Sequence, residues 1–202
     1  MTGDEAHRRR HTWAEYRTWD TDERYELVGG EAFLAAAAPS MRHQWVVGRL
    51  WSALERHFSG RAWIPFSGPA DIVISDEDVV QPDLFVICDR GQIKETHVEG
   101  PPALVIEVIS PSTAVHDRMR KADLYARAGV QELWLVTPHP PLVEMMVLQG
   151  KRYVHERTLD QSGTLTSVAF PDLRIDLADV FSFPIEPNDG VQLVKEVEVP
   201  FG

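Results

Sequence analysis

Apolar positions recur along this chain with two periods, and the switches between them mark its elements. Trp45, Val46, Leu50, Trp51 and Leu54 follow the helical period, so Ser40–His57 reads as a long amphipathic helix. A second helix is expected from about Ala114 to Ala128, ending at Gly129, a residue suited to a left-handed helix stop. On it, Asp117, Lys121, Leu124, Tyr125 and Ala128 share one face. Leu84–Cys88, Ala103–Ser110 and Glu132–Thr137 are near-continuous apolar runs, as in strands covered on both faces. Ala70–Ser75 alternates like a half-buried strand, and Arg61–Pro65 reads as another. Arg24–Ala36 predicts a hairpin about Gly29-Gly30, and Leu142–Leu148 with Arg152–Glu156 a second about Gln149-Gly150. Thr12–Trp19 predicts a short helix capped by Thr12, and Thr164–Val168 an edge strand. Asp76-Glu77-Asp78 reads as an acidic turn and Asp89–Gly100 as a polar loop.

This order predicts an α/β fold: a mixed central β-sheet flanked by helices on both faces, with an N-terminal β-hairpin and additional C-terminal strands. Ala103–Ser110, its helix and Glu132–Thr137 should form a right-handed βαβ unit. The expected organisation is a single domain over 12–183, preceded by a flexible tail (1–11) and followed by a proline-rich extension (184–202).

Composition narrows the class. A chain of 202 residues can bury a sizeable core, and 44% hydrophobic with 25% charged residues is ordinary for a globular protein. No stretch approaches the roughly 20 apolar residues of a membrane helix. The single cysteine, Cys88, excludes an intrachain disulfide and a cysteine-based zinc site and fits a reducing cytoplasm. At the end of the LFVIC run it reads as a buried small hydrophobe. The net charge of −11 opposes non-specific nucleic-acid binding, which depends on Lys and Arg neutralising phosphates. The one obvious basic cluster, His7–His11, reads as part of the tail.

The informative chemistry centres on Pro101–Tyr125, where a strand carries one carboxylate, Glu107. Burying it ionised requires a partner or a metal. From the residues alone it is either a strand-end acid salt-bridged to Lys121 or Arg120, or a site residue. Asp83, after Pro82, precedes another central strand, so the two carboxylates can converge on one sheet edge. Such pairs hold Mg²⁺. Lys121 can reach the same point from the following helix, or pair with Asp117 on the helix surface. Glu26 lies in the first hairpin on the face of Arg24 and Val28. His43 reads as a solvated or capping residue, Gln81 as an exposed loop amide and Tyr125 as core.

The segments YELVGGE (Tyr25–Glu31), PSMRHQWVVGRL (Pro39–Leu50), QPDLFVI (Gln81–Ile87), ALVIEVISPST (Ala103–Thr113) and DRMRKADLYARAGVQELWLV (Asp117–Val136) resemble the Uma-two family of the PD-(D/E)xK nuclease superfamily. The resemblance implies a restriction-endonuclease-like fold, with Asp83 as the acid of the PD motif, Glu107 as the (D/E) residue and Glu26 as an additional site acid. The superfamily lysine two residues after the glutamate is replaced here by Ile109, and the family pattern places a lysine in the next helix, Lys121. The expectation is a Mg²⁺-dependent endonuclease (Mn²⁺ as substitute) acting on DNA, with Glu26, Asp83 and Glu107 on the metal and Lys121 on water and phosphate. Two other readings stand beside it. One is a catalytically degenerate relative serving as a binding or regulatory homodimer; the other is a structural homodimer joined through Trp-rich elements and the Val-rich end.

Overall fold

The computed structural model describes residues 9–35, 39–109 and 114–185. In chain order the elements are α1 (Trp13–Tyr16), β1 (Tyr25–Val28), β2 (Glu31–Leu34), α2 (Met41–Phe58), β3 (Ile64–Ser67), β4 (Asp71–Ser75), β5 (Asp78–Val80), β6 (Leu84–Ile87) and β7 (His97–Glu99). They continue with β8 (Leu104–Val108), α3 (Ala114–Ala128), β9 (Glu132–Thr137), β10 (Leu142–Gln149), β11 (Arg152–Leu159), β12 (Thr164–Thr166), β13 (Arg174–Asp176) and α4 (Leu177–Phe181). The expected α/β class stands. Its central sheet has six strands in the order β11-β10-β9-β8-β6-β3. It is mixed: β8 and β9 are parallel, as a crossover through α3 requires, and the remaining pairs are antiparallel.

Strand alternation divides the core between the faces of this sheet. Leu84, Val86, Leu104, Ile106, Trp134 and Val136 pack with Val46, Leu50, Leu54 and Phe58 of α2. The alternate residues Phe85, Ile87, Val105, Leu133 and Leu135 pack with Leu124 and Tyr125 of α3. Glu107 is in step with Val105, and so belongs to the α3 face. The near-continuous apolar runs therefore reflect strands whose two faces are both covered.

The sequence pattern anticipated one sheet; the structure has a second, with five strands in the order β2-β1-β5-β4-β7. Its Ile72, Val80 and Val98 join the α3-side core. Strand β7, expected as loop, forms because β4 offers a parallel partner, Asp71 to His97 through Val73 to Glu99. Strand β13 and α4 were also unforeseen: β13 pairs with β12, and Asp176 caps α4 by accepting from Ala178 N.

Three boundaries differ from expectation for definite reasons. Strand β3 occupies Ile64–Ser67, because its register against β6 runs from Ile64–Ile87 to Ser67–Leu84. Gly68 follows where a side chain has no room: an added Cβ would lie 2.6 Å from Pro82 O. Cys88 is exposed, not buried, because β6 ends at Ile87 and the chain turns outward there. At the N-terminus, His11 N donates to Gly30 O at 2.8 Å, fastening the chain to the first hairpin. Residues 110–113, the end of the chain from 186, and residues 1–8 lie outside the described residues. Among the described residues, no helix is long and apolar enough to cross a membrane.

Candidate active site

Pro82-Asp83 carries the chain from the second sheet into β6, and Asp83 is held there from two sides. Its Oδ2 accepts from Val108 N at 2.8 Å, and its Oδ1 lies 3.3 Å from His43 Nε2. His43 sits in the first turn of α2, where Ser40 Oγ caps the helix by accepting from its backbone N–H. Burial alone would lower the His43 pKa, but the hydrogen bond and charge of Asp83, helped by Val108 and Glu107, raise it overall. Its Nδ1 is buried and has no hydrogen-bond partner among the described residues.

One residue from Val108, Glu107 meets α3. Its Oε1 accepts from Tyr125 Oη at 2.7 Å and lies 2.8 Å from Lys121 Nζ. The same ammonium donates to Glu26 Oε1 at 2.9 Å. Glu26 Oε1 also accepts from Gln81 N at 2.7 Å. Lys121 and Glu26 are each only 8% exposed, so this is a bridge inside the protein.

The charges are unequal: two carboxylates touch one ammonium, and the charge of Asp83, itself paired with His43, also acts on Glu107. The Glu107 pKa is raised to about 7: burial is the largest cause, Lys121 opposes it, and the charges of Asp83 and Glu26 add to it. Lys121 goes up as well. Burial opposes its charge, but Glu107 and Glu26 more than offset that. Burial is also the first cause of the raised Tyr125 pKa, followed by the charge of Glu107. The excess of acid can be neutralised by a proton on Glu107 or by a cation.

All four residues singled out from the sequence meet here. Glu26, Glu107 and Lys121 touch directly, and Asp83 joins through Val108 N. The salt bridge foreseen between Glu107 and Lys121 exists, but buried rather than at an exposed strand end. The side chain of Asp117 lies outside the described residues. Three residues read as bland belong to the site: His43 holds Asp83, Tyr125 holds Glu107, and half-buried Gln81 holds Glu26 through its backbone. For Tyr125 the signal was available, since it lies one helical turn beyond Lys121.

Among the described residues, no group of three or more His, Cys, Asp or Glu side chains is arranged to hold a metal ion. The ammonium lies between Glu26 and Glu107. The donor chemistry nevertheless fits a hard divalent cation. Asp83 and Glu107 supply carboxylate oxygens, and Mg²⁺ uses one or two carboxylates and keeps several waters.

Comparison with known proteins bears on the family and the fold. The profile of the Uma2 family, described as "Putative restriction endonuclease", matches residues 13–178. An uncharacterized protein of Synechocystis sp. is 31% identical over 125 residues, which cover 60% of this chain and 65% of that protein. The match thus spans a little less than two thirds of the relative's length. A crystal structure from Anabaena variabilis, described as a "putative nuclease belonging to DUF820", superposes with a TM-score of 0.69 at 18% identity, covering 85% of this chain and 97% of that one. At that identity the likeness concerns the fold. The family match covers most of the chain, and the protein belongs to the Uma2 family of restriction-endonuclease-like proteins.

Proposed function

We propose that this protein is a Mg²⁺-dependent nuclease, with Mn²⁺ as a substitute, that hydrolyses phosphodiester bonds in DNA in the cytoplasm. The observation that carries the reading is the position of Lys121. From α3 it brings its ammonium within 2.8 Å of Glu107 and 2.9 Å of Glu26, supplying the cation that Ile109 cannot. Asp83 and Glu107 would hold the metal, with Glu26 as the third acid across the ammonium. When bound, the ion supplies Lewis acidity at the scissile phosphate and acidifies its water. Lys121 donates hydrogen bonds to the attacking water and to a phosphate oxygen, and Glu26 keeps the ammonium charged and in place. His43 and Val108 N fix the two oxygens of Asp83, and Tyr125 fixes Glu107, so both ligands are oriented before the substrate arrives.

The test is nicking of plasmid DNA by purified protein with Mg²⁺ or Mn²⁺. Asp83→Ala and Glu107→Ala should each abolish nicking while the protein still melts cooperatively. Full activity in both variants overturns the assignment. The net charge of −11 favours a second reading, a homodimeric binding protein on a degenerate site. That reading predicts Mn²⁺ binding by calorimetry without cleavage of any nucleic acid.

A further inference from the structure

Next to the acidic cluster lies a cavity of about 400 Å³, walled by Trp13, Tyr16 and Trp19 and lined also by Asp71, His97 and Arg17. Small-molecule sites span roughly 300–1,000 Å³. The walls are fixed. Thr12 and Glu15 form a reciprocal capping box on α1, and Trp13 N donates to Asp76 O at 2.7 Å. The Trp13 ring lies 5.0 Å from that of His97, and Tyr16 meets Trp19 edge to face at 5.3 Å. These rings are only part-buried, so aromatic surface remains available.

The polar groups are equally specific. Asp71 and His97 are register partners on β4 and β7. Asp71 Oδ1 accepts from Gln81 Nε2 at 2.8 Å, while Oδ2 receives no hydrogen bond among the described residues. Burial raises the Asp71 pKa, as for a carboxylate short of donors. A carboxylate only accepts, so a matching ligand presents N–H groups. Aromatic walls call for a planar ring, and the exposed guanidinium of Arg17 suits a phosphate. A nucleotide has all three features. Among the bases, guanine offers two adjacent N–H donors, one for the open Oδ2 and one for the second lone pair of Oδ1, which it would share with Gln81.

Gln81 joins this cavity to the acidic cluster. Its backbone N holds Glu26, while its Nε2 reaches Asp71 and lies 3.5 Å from Tyr16 Oη. Tyr16 Oη accepts in turn from Tyr25 N, the residue before Glu26. We infer that the cavity binds an unpaired nucleobase of the strand cleaved at the Asp83–Glu107–Lys121 cluster, with guanine preferred. The cleaved strand rests on the nuclease reading; the base site itself does not. Unstacking a base costs least in single strands, so single-stranded nucleic acid is the favoured substrate.

The experiment measures anisotropy of a short labelled guanine-containing DNA, single-stranded and as its duplex, against the full chain in EDTA. The single strand should bind at least about tenfold tighter than the duplex, and Trp13→Leu should weaken it about ten- to hundredfold. Trp13→Phe, which keeps a ring, should restore most of that loss, separating stacking from misfolding. Asp71→Asn should abolish the preference for a guanine over a thymine oligonucleotide. Free dGMP should compete only weakly. If it bound as tightly as the strand, the site would belong to a free nucleotide and the inference would fail. Equal binding of single strand and duplex, or indifference to Trp13→Leu and Asp71→Asn, overturns it too. With no metal present, those failures leave the nuclease reading standing. Base binding as described, without cleavage in Mg²⁺ or Mn²⁺, overturns only the nuclease reading.

Discussion

Lys121 is the residue on which the charge balance turns, because it is the cation bridging two buried acids. Replacing it by Met keeps the bulk and leaves Glu26 and Glu107 facing each other without their counter-charge. Removing one partner of a buried ion pair costs about 3–5 kcal/mol. The cost should depend on pH. Folding raises the Glu107 pKa from its ordinary 4.5 to about 7, so the native state binds this proton more tightly than the unfolded chain. Stability from this group is therefore greatest below 4.5, declines as pH rises towards 7, and is flat above. In Lys121→Met a proton on Glu107 is the substitute for the lost ammonium. Lys121 holds the Glu107 pKa down, so its removal moves that titration above 7. Urea unfolding should therefore show a loss that is constant below pH 7 and grows as the pH rises above it. Equal losses on both sides would mean that Glu107 does not carry the charge. Asp83, Glu107 and Lys121 were legible because each is a charge in an unusual place, two acids in or beside apolar strands and a lysine on a face shared with Leu124, whereas Glu26 entered only through the family pattern. His43 was not. A histidine in a helix's first turn looks the same in sequence whether it faces water or Asp83.

At the scale of elements, one buried acid outside the site has a purely architectural part. Glu132, fully buried at the start of β9, accepts from Trp134 Nε1 at 2.6 Å and Ser167 Oγ at 2.7 Å. It also accepts from Val168 N at 3.0 Å and Ala169 N at 2.8 Å. Those bonds tie the segment between β12 and β13 to the central sheet. Glu132→Ala leaves these buried donors unpaired and should cost about 3 kcal/mol by thermal or urea unfolding. The pocket and the acidic cluster share no bond with Glu132, so Mn²⁺ affinity should be unchanged; a parallel loss would mean the site depends on this tie. The same contrast governs what the sequence could disclose. Helices α2 and α3 and strands β6, β8 and β9 have enough apolar residues to declare a period. Strand β7 has one buried residue in three and α4 spans five residues. Such elements exist because a neighbour pairs with or covers them, information that a local pattern does not hold.

Over the whole molecule, the candidate site lies where the two sheets meet: Glu26 comes from the five-stranded sheet, Glu107 from the six-stranded one, and Lys121 from the helix on their shared face. A single-sheet expectation brought Glu26 to the others only through the family pattern; the second sheet explains why a hairpin acid reaches a central strand. The net charge of −11 then limits how a nucleic acid can be held. Proteins that neutralise 6–10 phosphates lose about 10³–10⁵ in affinity between roughly 50 and 200 mM salt. Here Arg17 is the cation lining the base cavity, and Lys121 is already committed to two carboxylates. One or two phosphate contacts on a single strand should lower the affinity no more than about tenfold over the same interval. Stacking on Trp13 and its neighbours would supply most of the rest. The expected outcome is a shallow salt slope that Trp13→Leu lowers in affinity without altering, while Arg17→Ala flattens it further. A steep slope in the parent protein would place the strand on a basic surface elsewhere and remove the aromatic cavity from the binding path.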